Sequence, residues 1–120
     1  AYEVGVRLVG AEMCIRDRGR AVGAGQHTGT DLDLILRKRG IDTIILGGIA
    51  TNVCVDTTAR EAATREYRVF ILSDACSNRG LGNLTADQIK AATLETLRFA
   101  FAQVLTADEM AAKIRKGPAA

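Results

Sequence analysis

Cys54 lies in "GGIATNVCVD", residues 47 to 56, where an apolar run ends in two glycines and the chain turns through small and polar residues. A cysteine at such a turn is suited to attack on carbonyl carbon. The attacking species is the thiolate, and the first turn of a helix favours it through unpaired N–H groups and the positive dipole end. The same N–H groups can bind the oxyanion that develops when an amide or ester carbonyl is attacked. Glycines ahead of the turn let the backbone approach a substrate closely. The competing reading is a buried spacer, since unpaired cysteine is among the most buried residue types. On these residues alone both readings stand.

Presenting Cys54 in this way requires a strand before the turn and a helix after it. "DTIILGG" is a short, continuously apolar, β-branched run that suits a strand buried on both faces of a parallel sheet. A helix from about Asn52 to Glu66 then carries Val55, Ala59, Ala62 and Ala63 inward. Ahead of the strand, "TGTDLDLILRKRG" spaces Leu32, Ile35 and Leu36 on one helical face, with Leu34 beside them. Thr28 or Thr30 is placed to cap that helix, Asp31 and Asp33 suit its first turn, and Gly40 is placed to end it. "YRVFILSDA" reads as a second buried strand ending near Asp74, followed by the polar loop "CSNRGLGN". The next helix runs from "LTADQIKAATLETLRFAFAQV", where Thr85 and Gln88 form a capping-box pair. "AQVLT" reads as a short third strand, and Thr106 with Glu109 repeats the box before a last helix. "KGPAA" contains the only proline and reads as a frayed end.

This alternation predicts an α/β fold, a three-layer αβα arrangement with a mainly parallel sheet and right-handed crossovers. Ligands in such folds bind beyond the carboxyl ends of the strands. Residues 47 to 54 fall there, and so does Asp74. Capping the turn that follows is the better role for Asp74. Cys76 reads as core or rim packing, and Thr57, Thr58 and Arg60 as supports for the Cys54 helix.

Composition narrows the classes. The 120 residues suit one domain, with 48% hydrophobic and 25% charged residues. The apolar stretch from Ile44 to Ala50 is far short of the ~20 residues of a membrane-spanning helix. No membrane partner is expected. The net charge is only +2, and the basic cluster Arg37-Lys38-Arg39 sits where it complements a helix C-terminus. With no interleaved aromatics to stack bases, no nucleic-acid partner is expected. Cys14, Cys54 and Cys76 form no CxxC pair and cannot all be disulfide-bonded within one chain, which favours a reducing cytoplasm. The single histidine, His27, and the lack of zinc-like spacings leave no metal or other cofactor expected.

Residues 30 to 116 form the expected domain, and residues 19 to 29 read as a glycine-bearing loop. "AYEVGVRLV" alternates like an edge strand. "EMCIRDR", residues 12 to 18, resembles a translated sequencing-library adapter. That resemblance implies that residues 1 to 18 are an artefactual leader with no functional message.

A second resemblance bears on function. "GIDTIILGGIATNVCVDTTAREAATREYRVFILSDACS" resembles the isochorismatase-like cysteine hydrolases, which include nicotinamidases, ureidoacrylate and carbamoyl amidohydrolases, and isochorismatases. The likeness runs over about residues 28 to 113, with motif, element order and spacing agreeing together. It implies that Cys54 is the nucleophile, that a cis peptide joins Ile49 to Ala50, and that the N–H groups of Ala50 and Cys54 form the oxyanion hole. It implies a small amide or ureide as substrate, a thioester intermediate, and a homo-oligomeric parent whose pocket draws on neighbouring subunits. The family's aspartate belongs to an "IDxQ"-like first strand, which this sequence lacks. Its lysine precedes the "GTDLD" helix, whereas no lysine occurs here before Lys38. Arg20 lies in that neighbourhood, but a guanidinium does not give up a proton readily. The sequence therefore reads as the C-terminal part of a cysteine hydrolase, N-terminally incomplete and inactive as it stands. Two readings from other classes are a noncatalytic module keeping the fold, and a phosphate-binding module using "GGIATN" as an anion cradle. The second lacks both GxGxxG and a P-loop lysine.

Overall fold

The computed structural model describes residues 32–117. The expectations for Thr28 and Thr30, for a strand in residues 1 to 9, and for Cys14, Arg20 and His27 fall outside the described residues. Helix α1 (Leu32–Lys38) carries Asp33 in its first turn and Arg37 and Lys38 in its last, matching the helix dipole. It ends in a Schellman arrangement. The N–H of Ile41 reaches the Leu36 carbonyl and that of Gly40 the Arg37 carbonyl, both at 3.0 Å. Gly40 adopts φ +69°, a left-handed conformation natural to glycine. Leu36 is buried and Leu32 packs beside it, while Ile35 is 46% exposed. The inward face of α1 is thus the i, i+4 pair alone, narrower than the three-residue face its spacing suggested.

Strands β1 (Thr43–Ile49), β2 (Arg68–Ser77) and β3 (Gln103–Leu105) form a parallel sheet in that order among the described residues. The π-helical turn Thr51–Val55 and helix α2 (Asp56–Thr64) connect β1 to β2, and α3 (Ala86–Ala100) connects β2 to β3. Helix α4 (Ala107–Arg115) follows β3. Side-chain alternation divides the sheet between two layers. Ile44 and Leu46 pair with Val69 and Ile71, and these four join Leu36, Val55, Ala59, Ala62, Leu94 and Leu97 in one core. Phe70, one step out of phase, faces the other way. It is fully buried, α4 packs on β2, and the Lys113 ammonium lies 5.9 Å from its ring centroid. The helices therefore flank both faces, in the expected αβα arrangement. Both capping boxes form, at Thr85 with Gln88 and at Thr106 with Glu109.

The amino end of β2 is anchored to α1. The Tyr67 hydroxyl donates to Asp33 Oδ1 at 2.6 Å, Arg65 reaches Asp33 Oδ2 at 3.1 Å, and the Arg37 guanidinium lies 4.7 Å from the Tyr67 ring. Tyr67's hydrogen bond holds the Asp33 carboxyl below its usual range. Burial, then the bond to Asp33, pushes Tyr67 up from 10.0 to about 12. A raised pKa means that the unfolded chain ionises first. Stability from this pair is full below pH 10.0 and falls as pH rises toward about 12. Tyr67→Phe is expected to cost ~1.5–3 kcal/mol near neutrality, as for a hydrogen bond to a charged group. It should also flatten the alkaline limb of the pH–stability curve. Urea titrations of both proteins between neutral and alkaline pH measure the two effects; an unchanged alkaline limb would refute the assignment.

Candidate active site at the carboxyl end of the sheet

The route from β1 to Cys54 begins at an irregularity in the sheet. Leu46 pairs with Ile71, yet Gly48 pairs with Cys76, so residues 72–75 of β2 bulge opposite Gly47. A Cβ added to Gly47 would lie 3.2 Å from both Ala75 Cβ and Ala75 O, which explains the missing side chain. Gly48 takes φ +139°, a conformation that L side chains rarely adopt. The double glycine thus fits the strand to the bulge. β2 also runs two residues past the expected Ala75, because Cys76 and Ser77 resume pairing with Gly48 and Ile49.

The peptide bond joining Ile49 and Ala50 is cis. Ala50 is extended, at φ −96° and ψ 148°, and the chain then winds immediately into helix. This first turn is wider than the α-helical turn expected from Asn52 onward. The Ala50 carbonyl accepts from the Val53 N–H at 3.1 Å and from the Val55 N–H at 3.2 Å, the latter a π-type bond. β-Branched Thr51, Val53 and Val55 crowd an ordinary α-turn at χ1. Thr51 and Val55 are fully buried and anchor the turn, whereas Cys54 is partly exposed and Val53 and Ile49 are 46% and 59% exposed. Cys54 thus sits in the first helical turn after a buried strand, at the sheet's carboxyl end, beside two exposed apolar side chains.

The remaining sequence candidates separate from it. Cys76 is 5% exposed and belongs to the core, and neither it nor Cys54 forms a disulfide. Burial pushes the Cys76 thiol up, opposed by the Gly48 N–H and by the charge of Lys90. Asp74 does not cap the turn after β2, as its position suggested. Its Oδ1 accepts from the Ala107 N–H at 2.9 Å, because the bulge turns it toward the start of α4. Thr58 is buried, and Arg60 pairs with Asp56 at 2.6 Å while lying 5.0 Å from the Phe101 ring centroid. Among the described residues, no group of three or more His, Cys, Asp or Glu side chains could hold a metal ion, and no helix is long and apolar enough to cross a membrane.

Two residues near the strand ends escaped the sequence reading. Lys90 Nζ donates to the Cys76 carbonyl at 2.9 Å, and Asn78 Nδ2 donates to the carbonyls of Arg79 at 3.1 Å and Ala86 at 3.0 Å. A signal existed for Lys90. It lies four residues before Leu94 and seven before Leu97, so a cation sits on the buried stripe of α3.

The comparisons with known proteins agree with this architecture. The family described as the Isochorismatase domain matches residues 12–109. Ureidoacrylate amidohydrolase RutB of Methylorubrum extorquens is 51% identical over 51 residues, which cover 42% of this chain and 21% of that protein. Nicotinamidase 3 of Arabidopsis thaliana is 36% identical over 81 residues, 68% of this chain and 38% of that protein. A crystal structure of a cysteine hydrolase from Pseudomonas syringae superposes with a TM-score of 0.74 at 37% identity, covering 80% of this chain and 47% of that one. The chain spans less than half the length of each of these relatives. The family match runs through the strand, the turn and the helix that carry Cys54, and the chain belongs to the isochorismatase family.

Proposed function

We propose that this chain is the nucleophile-bearing part of a cysteine hydrolase that cleaves a C–N bond in a small amide or ureide. The observation that carries this reading is the position of Cys54, partly exposed in the first helical turn beyond a buried parallel strand. The similarity to a ureidoacrylate amidohydrolase, a nicotinamidase and a cysteine hydrolase supports the substrate class. In the proposed reaction, the Cys54 thiol gives its proton to a base and the thiolate forms a bond to the carbonyl carbon. The carbonyl electrons move onto oxygen, where the N–H groups of Ala50 and Cys54 stabilise the oxyanion. Collapse breaks the C–N bond, the nitrogen takes up a proton and leaves as amine or ammonia, and a thioester remains. Water then adds to the thioester, the C–S bond breaks, and the acid product leaves with the thiol restored.

Amine departure needs a proton, and the acid–base partners implied by the family resemblance are missing from this sequence. The 120-residue chain is therefore expected to acylate without turning over amides. p-Nitrophenyl acetate separates these steps, because the thiolate fraction formed by proton loss to solvent can attack it and its leaving group departs without protonation. We expect a stoichiometric burst of p-nitrophenolate that disappears in Cys54→Ala, and amide hydrolysis no faster than in that variant. A burst equal in both proteins would refute the nucleophile and favour a noncatalytic module. Amide turnover dependent on Cys54 would refute the proposed inactivity.

A further inference from the structure

The turn that carries Cys54 hangs from Gly48, and Gly48 is held from the neighbouring strand. Cys76 is its partner across the sheet. The bulge at residues 72–75 interrupts the pairing just before this point, so β2 reaches Gly48 without a continuous ladder behind it. Cys76 packs in the core, and its carbonyl carries a further tie from α3, where the Lys90 ammonium donates to it at 2.9 Å. Asn78 adds a second tie, to the Ala86 carbonyl at 3.0 Å in the first turn of the same helix. Helix α3 also packs against the π-helical turn, so one helix contacts both sides of the strand–turn junction.

We propose that Lys90 is a positioning residue for the Cys54 site. Its ammonium holds the Cys76 carbonyl, and Cys76 holds Gly48, from which the chain turns through Ile49 and Ala50 to Cys54. A half-buried lysine on the apolar stripe of α3 carries a desolvation cost that a purely structural position would avoid with leucine or methionine. A charge-assisted bond to a single carbonyl offsets that cost and adds direction. Leucine or methionine would fill the space without fixing the carbonyl.

This inference rests on the proposed function for its catalytic meaning, but its structural half is testable independently. Amide hydrogen exchange, read on peptides covering residues 47–54 of the full chain, is compared among wild type, Lys90→Met, Lys90→Gln and Lys90→Arg. The methionine and glutamine variants are expected to exchange at least about tenfold faster in that segment, with β3 and α4 unchanged and arginine restoring protection to within about twofold. The p-nitrophenyl acetate burst should slow by about tenfold or more in the same two variants and recover with arginine, as for a misplaced reacting group. Unchanged exchange in both variants would overturn the inference. So would a speed-up spread evenly over the chain, or one that arginine does not reverse. If exchange responds as expected but wild type gives no Cys54-dependent burst, Lys90 positions the turn and the proposed chemistry is what fails.

Discussion

At neutral pH, iodoacetamide is expected to modify Cys54 at least ~100-fold faster than Cys76, as local opening of a few kcal/mol leaves about 1% or less of a buried thiol accessible. Cys54 is partly exposed on its turn, whereas Cys76 is 5% exposed and packed in the core. Burial also keeps the Cys76 thiol protonated, and the thiolate is the reactive species. Reagent must therefore wait for the Gly48–Cys76 pairing to open before it can reach the second sulfur. Site-resolved mass spectrometry of a time course measures both rates in one sample. Comparable rates would mean that the core around Cys76 opens freely, or that Cys54 is itself shielded. Either result would remove the contrast on which the nucleophile assignment depends.

Phe70→Ala is expected to destabilise the domain by ~3–5 kcal/mol, the range for emptying a large buried aromatic site. Phe70 is 0% exposed and heads the fully buried side chains by volume. Its position on β2 makes the loss specific, since it packs the face opposite the main core and lies under α4. Met110 is buried on α4, but a methionine cannot fill an aromatic cavity and keep its own packing. A domain is commonly stable by only ~5–15 kcal/mol, so the variant should lose much of its folding margin. Urea denaturation measures the change, and a loss below about 1 kcal/mol would show that α4 is not held through Phe70.

Local periodicity is why so much of the fold could be read in advance. The runs of β1 and β2 are apolar on consecutive residues because both faces of a parallel strand are covered, and that pattern needs no long-range information. Gly40 and the boxes at Thr85 and Thr106 act within one turn of their helices, so their residue types suffice. Cys54 was legible for the same reason, since strand, glycines and helix start are contiguous in the chain.

The residues that cooperate across the chain were not legible. Asp74 caps α4 from 33 positions away, and Lys90 bonds a carbonyl 14 positions away. Neither partner is marked by local spacing. The bulge opposite Gly47 depends on how two strands pair, and nothing within β1 announces that residues 72–75 will leave the ladder. Ile35 matched a helical face, yet only tertiary packing decided that Leu36 and Leu32 would fill it. By itself, then, the sequence determined the order and type of the elements and the nucleophile candidate, because backbone propensity and capping act over a few residues. The tertiary structure decided the register, the π-wound turn and the ties from α3, because these arise only when segments distant in sequence compete for the same space and the same hydrogen-bonding groups.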